Sequence, residues 1–264
     1  MKQTIKFLIA IMLVVGSSFC SRADDAPYGE IAKKSKGAHR IMCYNVRNCR
    51  GMDDVLDYDR VARVMKTVGA EVVAVQELDS ATRRSKGTVA LSELATRLKM
   101  NATYAPAIDY DGGKYGVGLL SKEKPISYTT MPLPGAKERR VLLLVEFKDY
   151  YFAVTHLSLT NEERVESVNM IIDRFKNITN KPLFIAGDFN ATPKSDPIKL
   201  MSGKFTVLSD TNAFTIPVVK PNRTIDFIFG YNNGYSFDVT QRKVLDEQNA
   251  SDHLPLFVDV VIKK

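Results

Sequence analysis

The sequence predicts an α/β protein with mixed β-sheets. Eight runs rich in Val, Ile, Leu and Phe alternate with amphipathic segments, a pattern typical of sheets that are covered by helices. Two of these runs, 141–147 and 151–159, are separated only by Lys148-Asp149-Tyr150, and so short a connection requires an antiparallel pair. A purely parallel, doubly wound sheet is therefore disfavoured.

Each predicted strand is a short run that is rich in β-branched, aliphatic or aromatic residues. In chain order the predicted strands are 39–46, 71–78, 117–122, 141–147, 151–159, 183–189, 224–230 and 254–262. Runs that are apolar along most of their length indicate strands buried on both faces.

Three helices are predicted by apolar stripes with helical spacing, which we interpret as core faces. The stripes are Val61, Val64, Met65 and Val68; Leu91, Leu94, Ala95 and Leu98; and Val165, Val168, Ile172 and Phe175. Thr160 and Glu163 form a capping-box pattern before the third helix. Asp196 followed by Pro197 predicts a short fourth helix near 197–201.

The N-terminus has the pattern of a bacterial export signal, predicted over residues 1–23. Lys2 and Lys6 precede an apolar run that is too short to span a bilayer, and small residues follow it. Cleavage after Ala23 would release a soluble protein, whereas Cys20 could accept a lipid. The lipoprotein is the slightly favoured alternative, although Phe19 stands where a small residue is usual. We therefore expect an exported protein, either periplasmic, secreted or an outer-membrane lipoprotein.

The rest of the chain is predicted to be a mobile leader, 24–37, and one domain, 38–264, since no repeat or long linker divides it. The formal net charge is +7 and stays positive without Lys2 and Lys6, which gives weak support for an anionic substrate. Cys43 and Cys49 could form a disulfide in an oxidising compartment, or Cys43 could be buried and unpaired.

Polar residues stand at or near the ends of most predicted strands. They are Asn45, Gln76, Glu77, His156, Asp188, Asn190, Asp226, Ser251, Asp252 and His253. Each alone has a simple structural explanation, such as turn chemistry for the Gly-Asp-Phe-Asn segment at 187–190. A carboxylate inside an apolar strand, as at Asp226, is costly unless it is paired or hydrogen-bonded. Together these residues predict a cavity lined by carboxylates and imidazoles.

Metal-assisted hydrolysis of a phosphate ester fits this set of residues best. Carboxylates such as Glu77 and Asp252 suit Mg²⁺, with Mn²⁺ as the alternative, and no Cys/His cluster has zinc spacing. The chain has no Gly-x-Ser-x-Gly motif and no Gly-rich nucleotide loop, which disfavours those two kinds of enzyme.

Motifs along the chain resemble, in order, those of the endonuclease/exonuclease/phosphatase superfamily. They are "YN" at Asn45, "QE" at Glu77, "YGVGLLSK" at 115–122, "RRVLLLVEF" with Arg140, "THLSL" with His156, "GDFNATP" with Asp188 and Asn190, "RTIDFIF" with Asp226, and "SDHLPLFVDV" with Asp252 and His253. The resemblance implies a four-layered α/β sandwich, in which two mixed sheets pack face to face with helices outside.

The resemblance also implies a role for each residue. Glu77 resembles the main metal ligand, with Asn45 and Asp252 nearby. Asp188 resembles the carboxylate that activates or orients the attacking water. Asn190 resembles the amide that holds a phosphate oxygen.

The remaining roles concern the phosphate and its developing charge. Asp226 and His253 resemble a hydrogen-bonded acid–imidazole pair that favours the imidazolium. Arg140 and His156 are expected to contact the substrate phosphate together with Asn190.

The substrate stays open between three phosphoesters: nucleic acid, a lipid headgroup and a small soluble ester. His156 stands where the apurinic endonuclease branch has Tyr-Val-Pro-Asn, so the chain resembles the deoxyribonuclease, sphingomyelinase and phosphatase branches instead. A non-catalytic binding module on the same fold is a further alternative. No protein partner is predicted, and contact with a membrane is expected only through the export signal or a lipid anchor.

Overall fold

Twelve β-strands form two six-stranded sheets in the computed structural model of the chain, which describes residues 28–264. The strands are β1 His39–Asn45, β2 Val72–Ser80, β3 Asn101–Tyr110, β4 Gly113–Ser121, β5 Ser127–Leu133, β6 Arg140–Glu146, β7 Tyr151–His156, β8 Leu183–Asp188, β9 Phe205–Val207, β10 Asp226–Tyr231, β11 Ser236–Val244 and β12 Leu256–Lys263. The helices are α1 Tyr58–Val68, α2 Ala90–Leu98, α3 Asn161–Phe175 and α4 Asp196–Ser202. The predicted export signal lies outside the described residues.

Both sheets are mixed, as predicted. The first has the strand order β11-β12-β1-β2-β4-β3, and the second has the order β5-β6-β7-β8-β10-β9. Each contains one parallel pair, β1 with β2 and β7 with β8, among antiparallel neighbours. A helix connects the strands of each parallel pair, because a parallel connection needs a long crossover.

The main core lies between the two sheets. Side chains from the first sheet, such as Ile41 and Val72, pack in one buried cluster with Leu143 and Val154 of the second sheet. A second cluster joins the outer face of the second sheet to α3 and α4. The predicted stripes of α1 and α2 are buried, except that Leu98 is partly exposed. The four-layered sandwich is confirmed.

The helix starts differ in detail from the sequence prediction. Thr160 precedes α3 as expected, but its side chain makes no capping hydrogen bond. The Glu163 carboxylate instead accepts hydrogen bonds from Ser158 Oγ and from the backbone N–H of Ala136. The fourth helix begins at Asp196 with Ser195 in the N-cap position, which is one residue earlier than predicted.

The sequence patterns miss four strands, and these are the four edge strands β3, β5, β9 and β11. Strand β5 is mostly exposed, and β11 alternates between exposed and partly buried residues. Strand β3 contains Pro106, a residue that sheets tolerate mainly at their edges. Edge strands are often more polar than interior strands, because polar and charged residues there discourage pairing with another chain.

A buried ion pair, which no sequence pattern predicts, joins β1 to β12. Arg40 and Asp259 are cross-strand partners, with Nε 2.7 Å from Oδ1 and Nη2 2.6 Å from Oδ2. The guanidinium also donates to the carbonyl oxygens of Val68 and Ala32. The pair therefore connects the first sheet to the end of α1 and to the segment before β1.

Part of the predicted leader contacts the domain in this way. Ala32 accepts the hydrogen bond from Arg40, and Lys34 forms an ion pair with Glu71. The domain boundary at residue 38 stays a prediction.

The two cysteines and the lengths of the helices bear on the alternatives that the sequence left open. Cys43 and Cys49 are both buried and free. No helix within residues 28–264 is long and apolar enough to cross a membrane.

We predict that Asp259→Asn lowers the free energy of unfolding by about 3–5 kcal/mol, because it leaves the buried guanidinium of Arg40 without its counter-charge. The measurement is urea unfolding monitored by circular dichroism. Asp238→Asn is the matched control on the neighbouring strand, since Asp238 pairs with Lys263 at the surface and should cost less than about 1 kcal/mol. Equal losses of unfolding free energy in the two variants would show that the buried pair is no more important than the surface pair.

Candidate active site

The two parallel strand pairs deliver polar side chains from both sheets to one place. In the first sheet, Asn45 at the end of β1 is the register partner of Gln76 in β2. In the second sheet, His156 at the end of β7 is the partner of Asp188 at the end of β8. Asp226 at the start of antiparallel β10 is also a partner of Asp188. Parallel strands place their carboxyl ends at the same edge, which explains this convergence.

Asp188 is the centre of the cluster. Its Oδ2 accepts a hydrogen bond from Asn45 Nδ2 at 3.1 Å, which joins the two sheets. The Nε2 atoms of His156 and His253 lie 3.5 and 3.7 Å from the same oxygen. Only 1% of Asp188 is exposed. Three side chains from three different strands or loops thus surround one carboxylate oxygen.

The other oxygen of Asp188 takes part in a turn. Its Oδ1 accepts from the backbone N–H of Asn190 at 2.8 Å, a local bond typical of Asp in turns. Asn190 has φ of 49°, a left-handed conformation that Asn adopts more readily than most residues. Its Nδ2 donates to the carbonyl oxygen of Leu157 at 3.0 Å. An amide nitrogen carries two N–H groups, so one remains for a substrate oxygen.

Glu77 owes its position to a β-bulge. Strand β2 pairs regularly with β4 up to Val75 and resumes at Leu78, so Gln76 and Glu77 together oppose one residue of β4. Glu77 has φ of 60°, which is unfavourable for a residue with a long side chain. Its carboxylate accepts from Asn45 Nδ2 at 3.0 Å. Bulges of this kind redirect a side chain next to an active site.

His253 and Asp226 form the predicted acid–imidazole pair. Nδ1 of His253 lies 2.9 Å from Oδ2 of Asp226, and both side chains are buried. Burial alone would lower the pKa of His253, but the charge and hydrogen bond of Asp226, helped by Asp188 and Asp252, raise it to about 10. The imidazole is therefore charged at neutral pH, with Nε2 directed towards Asp188.

The carboxyl group of Asp188 is less acidic than an ordinary aspartate. Burial and the nearby charge of Asp226 raise its pKa to about 7, although His253 and the hydrogen bonds of Asn190 and Asn45 oppose the shift. A carboxylate of this kind accepts a proton more readily than an exposed one.

His156 differs from His253 because its contact with a carboxylate, Asp188 at 3.5 Å, is longer than the 2.9 Å contact of His253 with Asp226. Burial, together with the positive charges of Arg140 and His253, holds its pKa well below the usual range. His156 is therefore neutral at pH 7 and can offer a substrate an N–H group but not a full charge. Arg140 is buried beside it and lines the same small cavity.

Arg140 has spare hydrogen-bonding capacity. Its Nη1 forms an ion pair with Glu138 at 2.8 Å, and its Nε is buried with no partner among residues 28–264. An unpartnered buried N–H on a charged group is costly, and a phosphate oxygen could satisfy it.

Glu77 and Asp252 have the chemistry of a site for a hard cation. Burial raises the pKa of Glu77, and the negative charge of Asp252 raises it further. Within residues 28–264, neither carboxylate has a Lys, Arg or His nitrogen within 4.0 Å. Two neighbouring carboxylates without a counter-ion fit a divalent metal with oxygen ligands.

A second cluster of residues is an alternative metal site. The ligand atoms of Asp188, Asp226 and His253 all lie within 4.8 Å of one another. A histidine must be neutral to bind a metal, however, and His253 is charged and hydrogen-bonded to Asp226. The hydrogen bond between His253 and Asp226 therefore favours Glu77 and Asp252 as the metal ligands.

The structure brings together all nine predicted site residues, and their individual roles stay predictions. Two further residues were not assigned any role from the sequence. Ser251 Oγ donates to the carbonyl oxygen of Asn45 at 2.7 Å and accepts from the backbone N–H of His253. Tyr115 lines the cavity that contains Arg140 and His156. Ser251 was singled out only as a polar residue at a strand end and as part of the motif "SDHLPLFVDV", and Tyr115 only as part of "YGVGLLSK".

Solved structures of known proteins share this fold. An endonuclease/exonuclease/phosphatase from Beutenbergia cavernae aligns with a TM-score of 0.71 at 21% identity, covering 86% of this chain and 72% of that one. The mannosyl-6-phosphatase of Bacteroides thetaiotaomicron aligns with a TM-score of 0.69 at 18% identity, covering 84% and 99%. The human Nocturnin catalytic domain aligns with a TM-score of 0.66 at 18% identity, covering 88% and 97%. The comparison with curated proteins finds no match.

The sequence itself carries the family pattern across most of the described domain. Residues 42–253 match the Endonuclease/Exonuclease/phosphatase family, whose members are phosphoester hydrolases, nucleases and phosphatases that generally depend on a divalent metal. The matched segment begins within β1 and ends at His253, so it includes every residue of the site described above. The chain belongs to the endonuclease/exonuclease/phosphatase family.

Proposed function

We propose that this protein is an exported, Mg²⁺-dependent hydrolase of phosphoester bonds. The observation that carries the proposal is the environment of Asp188, a buried carboxylate of raised pKa that lies between a charged and a neutral imidazole. These groups can accept a proton from water and stabilise negative charge on a phosphate.

Asp188 is the proton acceptor in this scheme. Its Oδ2 would orient a water molecule and take its proton, while Asn45 and Asn190 hold the carboxylate in place. Charge that builds on the phosphate oxygens would be stabilised by the imidazolium of His253 and by the N–H groups of His156 and Asn190. Arg140 would contribute a fixed positive charge in the cavity that it shares with His156.

Glu77 and Asp252 would hold the metal, with Asn45 fixing the Glu77 carboxylate. A bound Mg²⁺ would supply positive charge to the phosphate and a site that orients it. Mn²⁺ would fit the same oxygen donors.

Export is part of the proposal and rests on the N-terminal sequence alone. Expression in a bacterial host, followed by fractionation and intact-mass analysis, distinguishes a cleaved soluble protein from a lipoprotein. A mass corresponding to cleavage after Ala23 indicates a soluble protein, whereas a lipid-modified Cys20 indicates a lipoprotein. The uncleaved chain in the cytoplasm would contradict export.

We expect His253→Gln to lower kcat for bis-p-nitrophenyl phosphate by about a hundred- to a thousandfold, the usual cost of removing one charge-stabilising donor. The assay is release of p-nitrophenolate in Mg²⁺. His39→Gln is the matched control, because His39 lies at the start of β1 beside Glu71 and outside the site. Plasmid DNA and sphingomyelin, assayed in parallel, test the other substrate classes.

Wild-type activity in the His253→Gln variant would contradict the catalytic assignment. Absence of activity in the folded wild-type protein on every substrate and metal would favour a non-catalytic binding module.

Removal of metal with EDTA should abolish activity, and Mg²⁺ should restore it. In Glu77→Gln, the Mg²⁺ concentration that gives half-maximal activity should rise by at least about tenfold, because a charged ligand is lost. Calorimetric titration with Mg²⁺ measures the same change without turnover. Glu71→Gln is the control, since Glu71 precedes the other end of β2 and pairs with Lys34. An unchanged Mg²⁺ affinity in Glu77→Gln would remove Glu77 from the metal site.

A further inference from the structure

A surface of aromatic and cationic side chains adjoins the candidate active site. It consists of Arg84, Tyr110 and Tyr115, and we call it the tyrosine ledge. The guanidinium of Arg84 lies 4.5 Å from the centre of the Tyr110 ring and 5.6 Å from that of Tyr115. The two tyrosine rings are 5.9 Å apart. Tyr115 also lines the cavity that contains Arg140 and His156, so the ledge is continuous with the site.

Hydrogen bonds to Asp79 and Asp111 fix the position of Arg84 in the ledge. Arg84 makes two hydrogen bonds to Asp79, with Nε 2.6 Å from Oδ2 and Nη2 2.7 Å from Oδ1. Asp79 is only 1% exposed and is also bonded to Thr82. The backbone N–H of Arg84 donates to Asp111 in the turn between β3 and β4. A surface that is fixed before binding loses little freedom when a ligand stacks on it.

The outer tyrosine of the ledge, Tyr110, is partly exposed to solvent. Tyr110 is 40% exposed, although the partly buried guanidinium of Arg84 lies over its ring. Aromatic faces of this kind bind planar rings, and stacking of a nucleobase on an aromatic side chain is tolerant of the base's identity.

A cavity of about 410 Å³ is lined by residues of β3 and β4 that are close in sequence to the two tyrosines, and it contains Asp109, Lys114 and Arg139. Ala107 lines both this cavity and the one that contains Arg140, so the two adjoin. Lys114 is paired with Asp109, whereas Arg139 has no carboxylate within 4.0 Å among residues 28–264. The cavity thus offers one unpaired cation.

We propose that the tyrosine ledge binds the nucleobase of a nucleotide substrate, with Arg139 contacting a second phosphate of the same nucleotide. This inference rests on the proposed function, because it places the reacting phosphate beside Arg140 and His156. The arrangement favours a nucleotide over a lipid headgroup or a sugar phosphate, since neither of these has a planar ring to stack on Tyr110. Among residues 28–264, Arg139 is the cation of this cavity that has no carboxylate within 4.0 Å, which fits one additional phosphate better than an extended polyanion.

The test is calorimetric titration of the full protein with two matched ligands, thymidine 3′,5′-bisphosphate and deoxyribose 3′,5′-bisphosphate, which lacks the base. EDTA is present to prevent turnover, and chromatography confirms that the ligands are recovered intact. Wild-type protein should bind the nucleotide about tenfold more tightly, from stacking of one base. Tyr110→Ala should abolish this preference, whereas Arg139→Gln should weaken both ligands by a similar factor.

Tyr128→Ala is the control, because Tyr128 is an exposed tyrosine on the edge strand β5, where it lines a separate cavity. It should retain the wild-type preference. Equal affinity of wild-type protein for the two ligands, binding of neither, or an undiminished preference in Tyr110→Ala would overturn the inference. Nucleotide preference without hydrolysis of any phosphoester would instead support the ledge and contradict the proposed function.

Discussion

The hydrogen bond from Asn45 to Asp188 is the contact on which the site depends, since it joins the two sheets at the point where the polar side chains meet. Asn45 also donates to Glu77, so one amide positions both the carboxylate proposed to bind metal and the one proposed to accept a proton. The buried Asp188 then lies within reach of both imidazoles. Loss of the correct sheet packing would separate these groups even if each strand still formed.

In the Gly-Asp-Phe-Asn segment at 187–190, the same residues form a turn and contribute side chains to the candidate site. Oδ1 of Asp188 bonds to the backbone of Asn190 and stabilises the turn, while Oδ2 lies among the side chains of the site. Gly187 is required here because a Cβ atom at this position would lie 2.1 Å from the carbonyl oxygen of Thr155. The same residues therefore end the strand, permit close strand approach and present a carboxylate.

The sequence predicted the interior strands and the polar side chains that the structure brings together at the strand ends, because a polar residue inside an apolar run is costly and has to be explained. It did not predict the edge strands, whose polar composition resembles that of loops. The bulge at Glu77, the ion pair of Arg40 with Asp259 and the stacking of Arg84 on Tyr110 were also missed. The ion pair and the stacking join residues that are distant in the chain, and the bulge depends on local backbone geometry. Neither kind of feature is visible in the periodicity of the sequence.

In the proposed mechanism, the metal binds at Glu77 and Asp252 and leaves Asp188 free to accept a proton. Anomalous scattering from crystals soaked in Mn²⁺ tests this most directly, because it locates the ion without reference to activity. We expect the main anomalous peak beside the carboxylates of Glu77 and Asp252. A main peak within the group formed by Asp188, Asp226 and His253 would show that these residues are metal ligands and would contradict the account.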